Sequence, residues 1–200
     1  MPRKGMAKPK KISKGSTKAR ALMTPGMRRF TQDVEKRRVE ALARIENIPV
    51  AALIWGPAPS ARTKVARTRL LLKGELTNRG HLAQFSEDLL DPHSPYSIQS
   101  QQVAQAEAHD IVFSIPDSAG SIAEIHDFAK LPWLSHKIVT FLNRKWNKGY
   151  ANRSLIELKS TVTCEIVLYD SRQLPSYVID ESLRLVRRLQ EVYYLAGRRV

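Results

Sequence analysis

Five short apolar runs alternate along this chain with segments of helical periodicity, and that alternation limits the fold more tightly than any single motif. Residues 49–55, 81–85, 111–115, 137–142 and 164–169 read as strands, rich in Val, Ile, Leu and Phe and bounded by Gly, Pro, Ser or Asp. Segments 62–78, 97–108, the stretch just beyond Gly120 and 154–160 read as helices, and a long helix over 176–196 follows. Strands separated by helices pair in parallel through right-handed crossovers, which puts helices on both faces of the sheet. The expected fold is therefore α/β: a Rossmann-like, doubly wound, mainly parallel sheet of about five strands, an ordinary size for an open sheet.

Charge divides the chain. Of the formal net charge of +14, ten positive charges fall before residue 31, with no acidic residue among them. That segment is rich in Lys, Gly, Ser and Pro and has no apolar face, so residues 1–30 are expected to form a disordered basic tail. Two readings stand side by side: attachment to nucleic acid through counterion release, or an inert solubilising extension. Thr31 is a plausible N-cap for a helix over 31–48 with an irregular apolar stripe, Val34, Val39, Leu42 and Ile45, suited to docking. Residues 49–200 form the expected globular domain. The chain has no signal-like apolar stretch and no run near the ~18 apolar residues a membrane span needs, so a cytoplasmic protein without membrane contact is expected. Cys164 is the only cysteine, and His81, His93, His109, His126 and His136 show no ligand spacing. Neither a metal nor a cofactor is expected.

The chemistry is concentrated in 110–128. An apolar strand, Ile111, Val112, Phe113 and Ile115, runs into Pro116-Asp117-Ser118-Ala119-Gly120-Ser121 and then into a helix carrying Ile122, Ile125, Phe128 and Ala129. With the helix starting beyond Gly120, the amides of 120–123 would be unpaired donors at the carboxyl end of a strand, where α/β sheets bind ligands. Glu124 would stand beside them. The residues alone leave two roles for Glu124: a carboxylate facing a ligand, or the acid of a Ser121-x-x-Glu124 capping box that only bonds the helix start.

Residues 116–124 resemble the P-G-G-x-G-T-x-x-E signature of the "Lonely guy" phosphoribohydrolases and their lysine-decarboxylase-like relatives. Asp117 and Ser118 stand in place of two glycines, and Ser121 in place of threonine. The stretch is also similar to the strand, acidic turn and helix-borne Glu of nucleoside 2-deoxyribosyltransferases. It is closest in look to retron-associated and related anti-phage effectors, which carry a similar S-x-G-S-x-A-E segment. The resemblance implies cleavage of an N-glycosidic bond in a nucleoside, nucleotide or dinucleotide, NAD-like substrates included, by an enzyme serving defence or acting as a toxin. It implies Glu124 as nucleophile or stabiliser of the sugar cation; Ser118, Gly120 and Ser121 are candidates to hold phosphate or sugar, and Asp117, at the strand end, either orients a ribose hydroxyl or only forms the turn.

Other residues join the candidate site by position. Gly56 and Pro57 open a loop at the end of the first strand, beside Trp55, which either stacks on a base or caps the core. Arg62 and Arg67 are candidates to clamp phosphates, against a plain solvated basic face. Glu87, after the second strand, is a candidate to bind substrate and protonate the leaving base, against an ordinary loop acid. Asp127 reads as a surface charge. The competing functions are a nucleotide sensor that uses the same pocket without turnover, and a nucleic-acid-associated protein acting through its tail. A homo-oligomer or an operon-encoded protein partner is also expected through the helices at 31–48 and 176–196.

Overall fold

The computed structural model describes residues 24–146 and 164–198. The tail up to residue 23 and the helix expected over 154–160 lie outside the described residues. Two units are distinguished, Met1–Arg44 and Ile45–Val200.

In the first unit, helix α1 (Pro25–Glu46) begins ahead of the expected cap. Pro25 suits the first helical position, where no amide is needed, and the Thr24 hydroxyl accepts from the Met27 amide at 3.3 Å. Thr31 lies inside the helix, its hydroxyl donating to the Met27 carbonyl at 2.8 Å. Residues 25–30, expected in the tail, are thus helical. Ion pairs Asp33–Arg37, Glu35–Arg38 and Lys36–Glu40 support the exposed face at helical spacing. No residue of α1 is buried, and Met27, Phe30, Val34, Val39 and Leu42 are exposed.

The second unit runs β1 (Ala51–Trp55), α2 (Lys64–Asn78), β2 (Leu82–Phe85), α3 (Ile98–Ala108), β3 (Ile111–Ser114), α4 (Ala119–Ala129), the short α5 (Pro132–Ser135), β4 (Ile138–Asn143), β5 (Glu165–Tyr169) and α6 (Ser176–Leu195). The five strands form one sheet, every pair parallel, in the order β2-β1-β3-β4-β5. This is the doubly wound α/β fold expected, in its 2-1-3-4-5 arrangement, whose winding reverses between β1 and β3. Side chains of β1, β3, β4 and β5 alternate between two cores, while the edge strand β2 sends Ala83 and Phe85 into the first and leaves Leu82 exposed. Ala52, Ile54, Phe113, Phe141 and Tyr169 pack with Leu72 and Leu76 of α2 and with Val178 and Val186 of α6. Leu53, Trp55, Val112 and Leu142 pack on the other face with Ala106 of α3, Ile122, Ile125 and Phe128 of α4, and Leu134 of α5. Cys164 belongs to that second core, buried as a small apolar residue.

At the amino ends of the strands, Asp110 ties the sheet to the last helix. Its carboxylate accepts from the Ala51 amide at 2.7 Å and from the Tyr193 hydroxyl at 2.8 Å. Burial, and then that bond to Asp110, push the Tyr193 hydroxyl up to about 12. Among the described residues no helix is long and apolar enough to cross a membrane.

Candidate functional site

The carboxyl ends of β2, β1 and β3 surround a cavity of about 270 Å³ lined by Trp55, Gly56, Ala58, Ser86, Glu87, Leu90, Gln102, Ser114, Pro116, Ser121, Glu124, Ile125 and Phe128. It sits where the winding of the sheet reverses, because loops leaving β1 and β3 there turn to opposite faces and part from each other.

Glu124 stands on the second turn of α4, and the helix start explains why it is left for other work. Helix α4 begins at Ala119, with Ser118 as its N-cap. The Ser118 hydroxyl accepts from the Ser121 amide at 3.1 Å, and the Ser121 hydroxyl accepts from the Ser118 amide at 3.2 Å. This reciprocal box is built from two serines, three residues ahead of the expected one. Glu124 takes no part in it. Its side chain is exposed, lines the cavity, and makes no hydrogen bond or ion pair among the described residues.

The same shift changes the expected anion cradle. The Ser121 amide is taken by the Ser118 hydroxyl, and the Ile122 amide donates to the Ser118 carbonyl at 3.2 Å. Two of the four amides expected to be open donors are therefore already paired within the helix start. Gly120 is an ordinary helical residue, exposed, with nothing closer to an added Cβ than the Ser118 hydroxyl at 3.9 Å.

The glycine that shapes the site is Gly56. It leaves β1 at φ +149°, and a Cβ there would lie 2.7 Å from the Ile115 carbonyl and 2.8 Å from Arg69 Cδ. Only a residue without a side chain lets β1, β3 and Arg69 converge there. Arg69, on α2, is fully buried and was not singled out in the sequence. Its guanidinium donates to the Ile54 carbonyl at 2.8 Å, the Gly56 carbonyl at 3.1 Å and the Pro57 carbonyl, and it grips both carboxylate oxygens of Glu87 at 2.9 Å each. It also lies over the Phe85 ring, 4.6 Å from the centroid. One buried cation thus fixes the end of β1, the Gly56–Pro57 turn and the residue after β2. Its signal in the sequence is its register with Val65, Leu72 and Leu76 on the apolar stripe of α2.

Of the residues expected at the site, Gly56, Glu87, Ser121 and Glu124 are brought to one cavity. Asp117, Ser118, Gly120, Pro57 and Arg62 are not among its lining residues. Asp117 pairs with Lys145 at 3.3 Å, and Ser118 caps α4. Arg62 and Arg67 are exposed, Arg67 in a separate cleft with Leu174 and Pro175. Glu87 accepts from Arg69 through both carboxylate oxygens. Asp127 is a surface charge beside Lys130. Trp55 packs in the second core, its ring tilted against Phe128 at 4.8 Å between centroids, and also lines the cavity. Its Nε1–H is buried with no acceptor among the described residues.

The lining is chemically one-sided. Among the described residues Glu87 and Glu124 are its only ionisable side chains, set among Trp55, Phe128, Leu90 and Ile125, with Ser86, Gln102, Ser114 and Ser121 as neutral hydrogen-bonding groups. Among the described residues no group of three His, Cys, Asp or Glu is placed to hold a metal ion. In comparison with known proteins, no protein-family model matches the chain and no curated protein matches it significantly.

Proposed function

We propose that the chain is an N-glycosidase or ribosyltransferase-like enzyme that cleaves the bond between a base and C1′ of the sugar in a nucleoside-type substrate. The observation that carries this reading is Glu124: a carboxylate without a partner among the described residues, lining a concave aromatic pocket at the winding reversal of the sheet. Cleavage builds positive charge on the sugar, and a carboxylate in contact with C1′ stabilises that charge or captures it. In the covalent form, a Glu124 oxygen bonds to C1′ as the C1′–N bond breaks. The electron pair leaves on the base nitrogen, which takes a proton from water. Water, or a second base in the transferase variant, then attacks C1′ and frees the carboxylate, its proton going to the hydroxide left when the first base was protonated. Trp55 and Phe128 supply aromatic surface for the base, and Ser121 and Ser114 supply hydroxyls for the sugar. The resemblance to retron-associated effectors adds a defence or toxin setting to the proposal.

The test is base release from a panel of nucleosides and nucleotides, followed by chromatography. Glu124→Gln is expected to lower turnover by at least about 100-fold, the scale of losing one group that stabilises transition-state charge. Its melting temperature should stay that of the wild type, because the side chain supports no contact. Equal turnover by wild type and variant would sink the reading.

A second reading is favoured by the Arg69–Glu87 pair. With Glu87 held through both oxygens by Arg69, Glu124 is the one carboxylate of the described lining without an ion-pair partner. A non-catalytic sensor needs no more than that. Binding of a nucleoside or nucleotide without base release by any variant would decide for the sensor.

A further inference from the structure

The wall formed by Arg69 and Glu87 says more about what the pocket admits. Arg69 is buried and spends its guanidinium inward, on three carbonyls and on Glu87, so its positive charge is neutralised behind the wall. What reaches the cavity is the carboxylate side: Glu87 is over a third exposed, at 37 %, while the Arg69 side chain is at 0 %. Each Glu87 oxygen keeps a lone pair beyond the one given to Arg69, so it accepts further bonds while its position is fixed by a two-point grip. Glu124 lines the same cavity, and no Lys, Arg or His is among its described lining residues. Two of the amides at the start of α4 that would have drawn an anion are occupied by Ser118.

We propose that Glu87, positioned by Arg69, is the specificity-determining residue of this pocket: it accepts hydrogen bonds from sugar hydroxyls and keeps phosphate groups out. This rests on the glycosidic reading for what the ligand is, and adds which form of it enters. A hydroxyl-bearing sugar offers donors to an acceptor held in place. A phosphate monoester brings like charge to a pocket whose described lining holds two carboxylates and no cationic side chain, where the partly dry walls strengthen the repulsion. Arg69 acts through Glu87 and touches no ligand.

The experiment compares adenosine, 2′-deoxyadenosine and adenosine 5′-monophosphate, with matching sets for the other common bases. Base release is measured with the wild type, and equilibrium binding by saturation-transfer NMR with Glu124→Gln. The nucleosides are expected to exceed their monophosphates by about tenfold or more in kcat/KM and in affinity. Leu90→Arg places a guanidinium on the lining and should narrow or reverse that preference. Arg69→Lys keeps the charge but loses the two-point grip, and should raise KM for nucleosides several-fold with kcat little changed. Because Arg69 also supports the fold, melting curves accompany that variant, and Leu90→Arg carries the test independently of it. Equal or tighter use of the monophosphates by the wild type, or a preference untouched by Leu90→Arg, would overturn the proposal. If nucleosides bind in preference to monophosphates and no base is released, the glycosidic reading falls and the selective wall stands.

Discussion

Gly56 and Gly120 show how differently two glycines can matter at one site. At Gly56 a methyl group meets a carbonyl oxygen at 2.7 Å and a buried arginine at 2.8 Å, at a backbone angle that L-residues rarely adopt. Gly56→Ala is therefore expected to destabilise by about 2 kcal/mol or more, and to disturb the Arg69 network with it. At Gly120 the helix is regular and the space is open, so Gly120→Ala should be stabilising by about 0.5–1 kcal/mol. Chemical denaturation of the two variants checks both signs. The sequence made Glu124, Ser121, Gly56 and Glu87 visible because each sits at a strand end or helix start, where position alone confers access. Arg69 was hidden by its neighbours, since Arg62 and Arg67 make the stretch read as a solvated basic face. Its burial is a tertiary fact: the stripe of Val65, Leu72 and Leu76 pulls it inward, and the carbonyls of Ile54, Gly56 and Pro57 make that tolerable.

Element boundaries follow the caps, and here local hydrogen bonding decided between rival helix starts. Both Ser118 and Ser121 are serines followed three residues later by a polar side chain, so the sequence offers two boxes, Ser118/Ser121 and Ser121/Glu124. The first adds a turn to α4, and its Ser118 holds the extended backbone, φ −144° and ψ 161°, that an N-cap requires. Ser118→Ala is expected to lower stability by about 1 kcal/mol, seen as a fall in melting temperature, while Glu124→Gln leaves it unchanged. The reverse pattern would return Glu124 to the capping role. The strands were legible because parallel strands buried on both faces need uninterrupted apolar residues, as in Ile54, Phe113 and Phe141. The start of α1 was not, because Thr24-Pro25 is a cap and first-turn pair embedded in a segment whose charge suggested disorder.

For the whole molecule, charge is distributed so that binding and stability can be separated. Eight of the basic residues lie within 1–23, ahead of α1. If they bind nucleic acid, deleting 1–23 should abolish that binding and leave nucleoside turnover intact. The affinity of the full chain should fall with salt, with a log–log slope of about −0.7 to −0.9 per phosphate contacted. Fluorescence anisotropy across salt concentrations measures it, and no difference between the two chains would make the tail inert in this respect. Stability responds instead to a residue at the opposite end of the sheet from the candidate site. His81 is buried before β2, with Nδ1 accepting from the Val50 amide at 3.3 Å. Burial, and then the charge of Arg79, hold its pKa below the ordinary 6.5. The unfolded chain therefore binds a proton that the folded one refuses. The stabilisation is complete above about pH 6.5 and is lost as the pH falls from there toward the lower folded value. Protonation also removes the lone pair that receives the Val50 amide, so the loss acts where β1 and β2 begin. Between about pH 7.5 and 5.5 the wild type should lose more melting temperature than His81→Asn, which has no charge to gain. Parallel losses in the two proteins would place the acid sensitivity elsewhere in the fold.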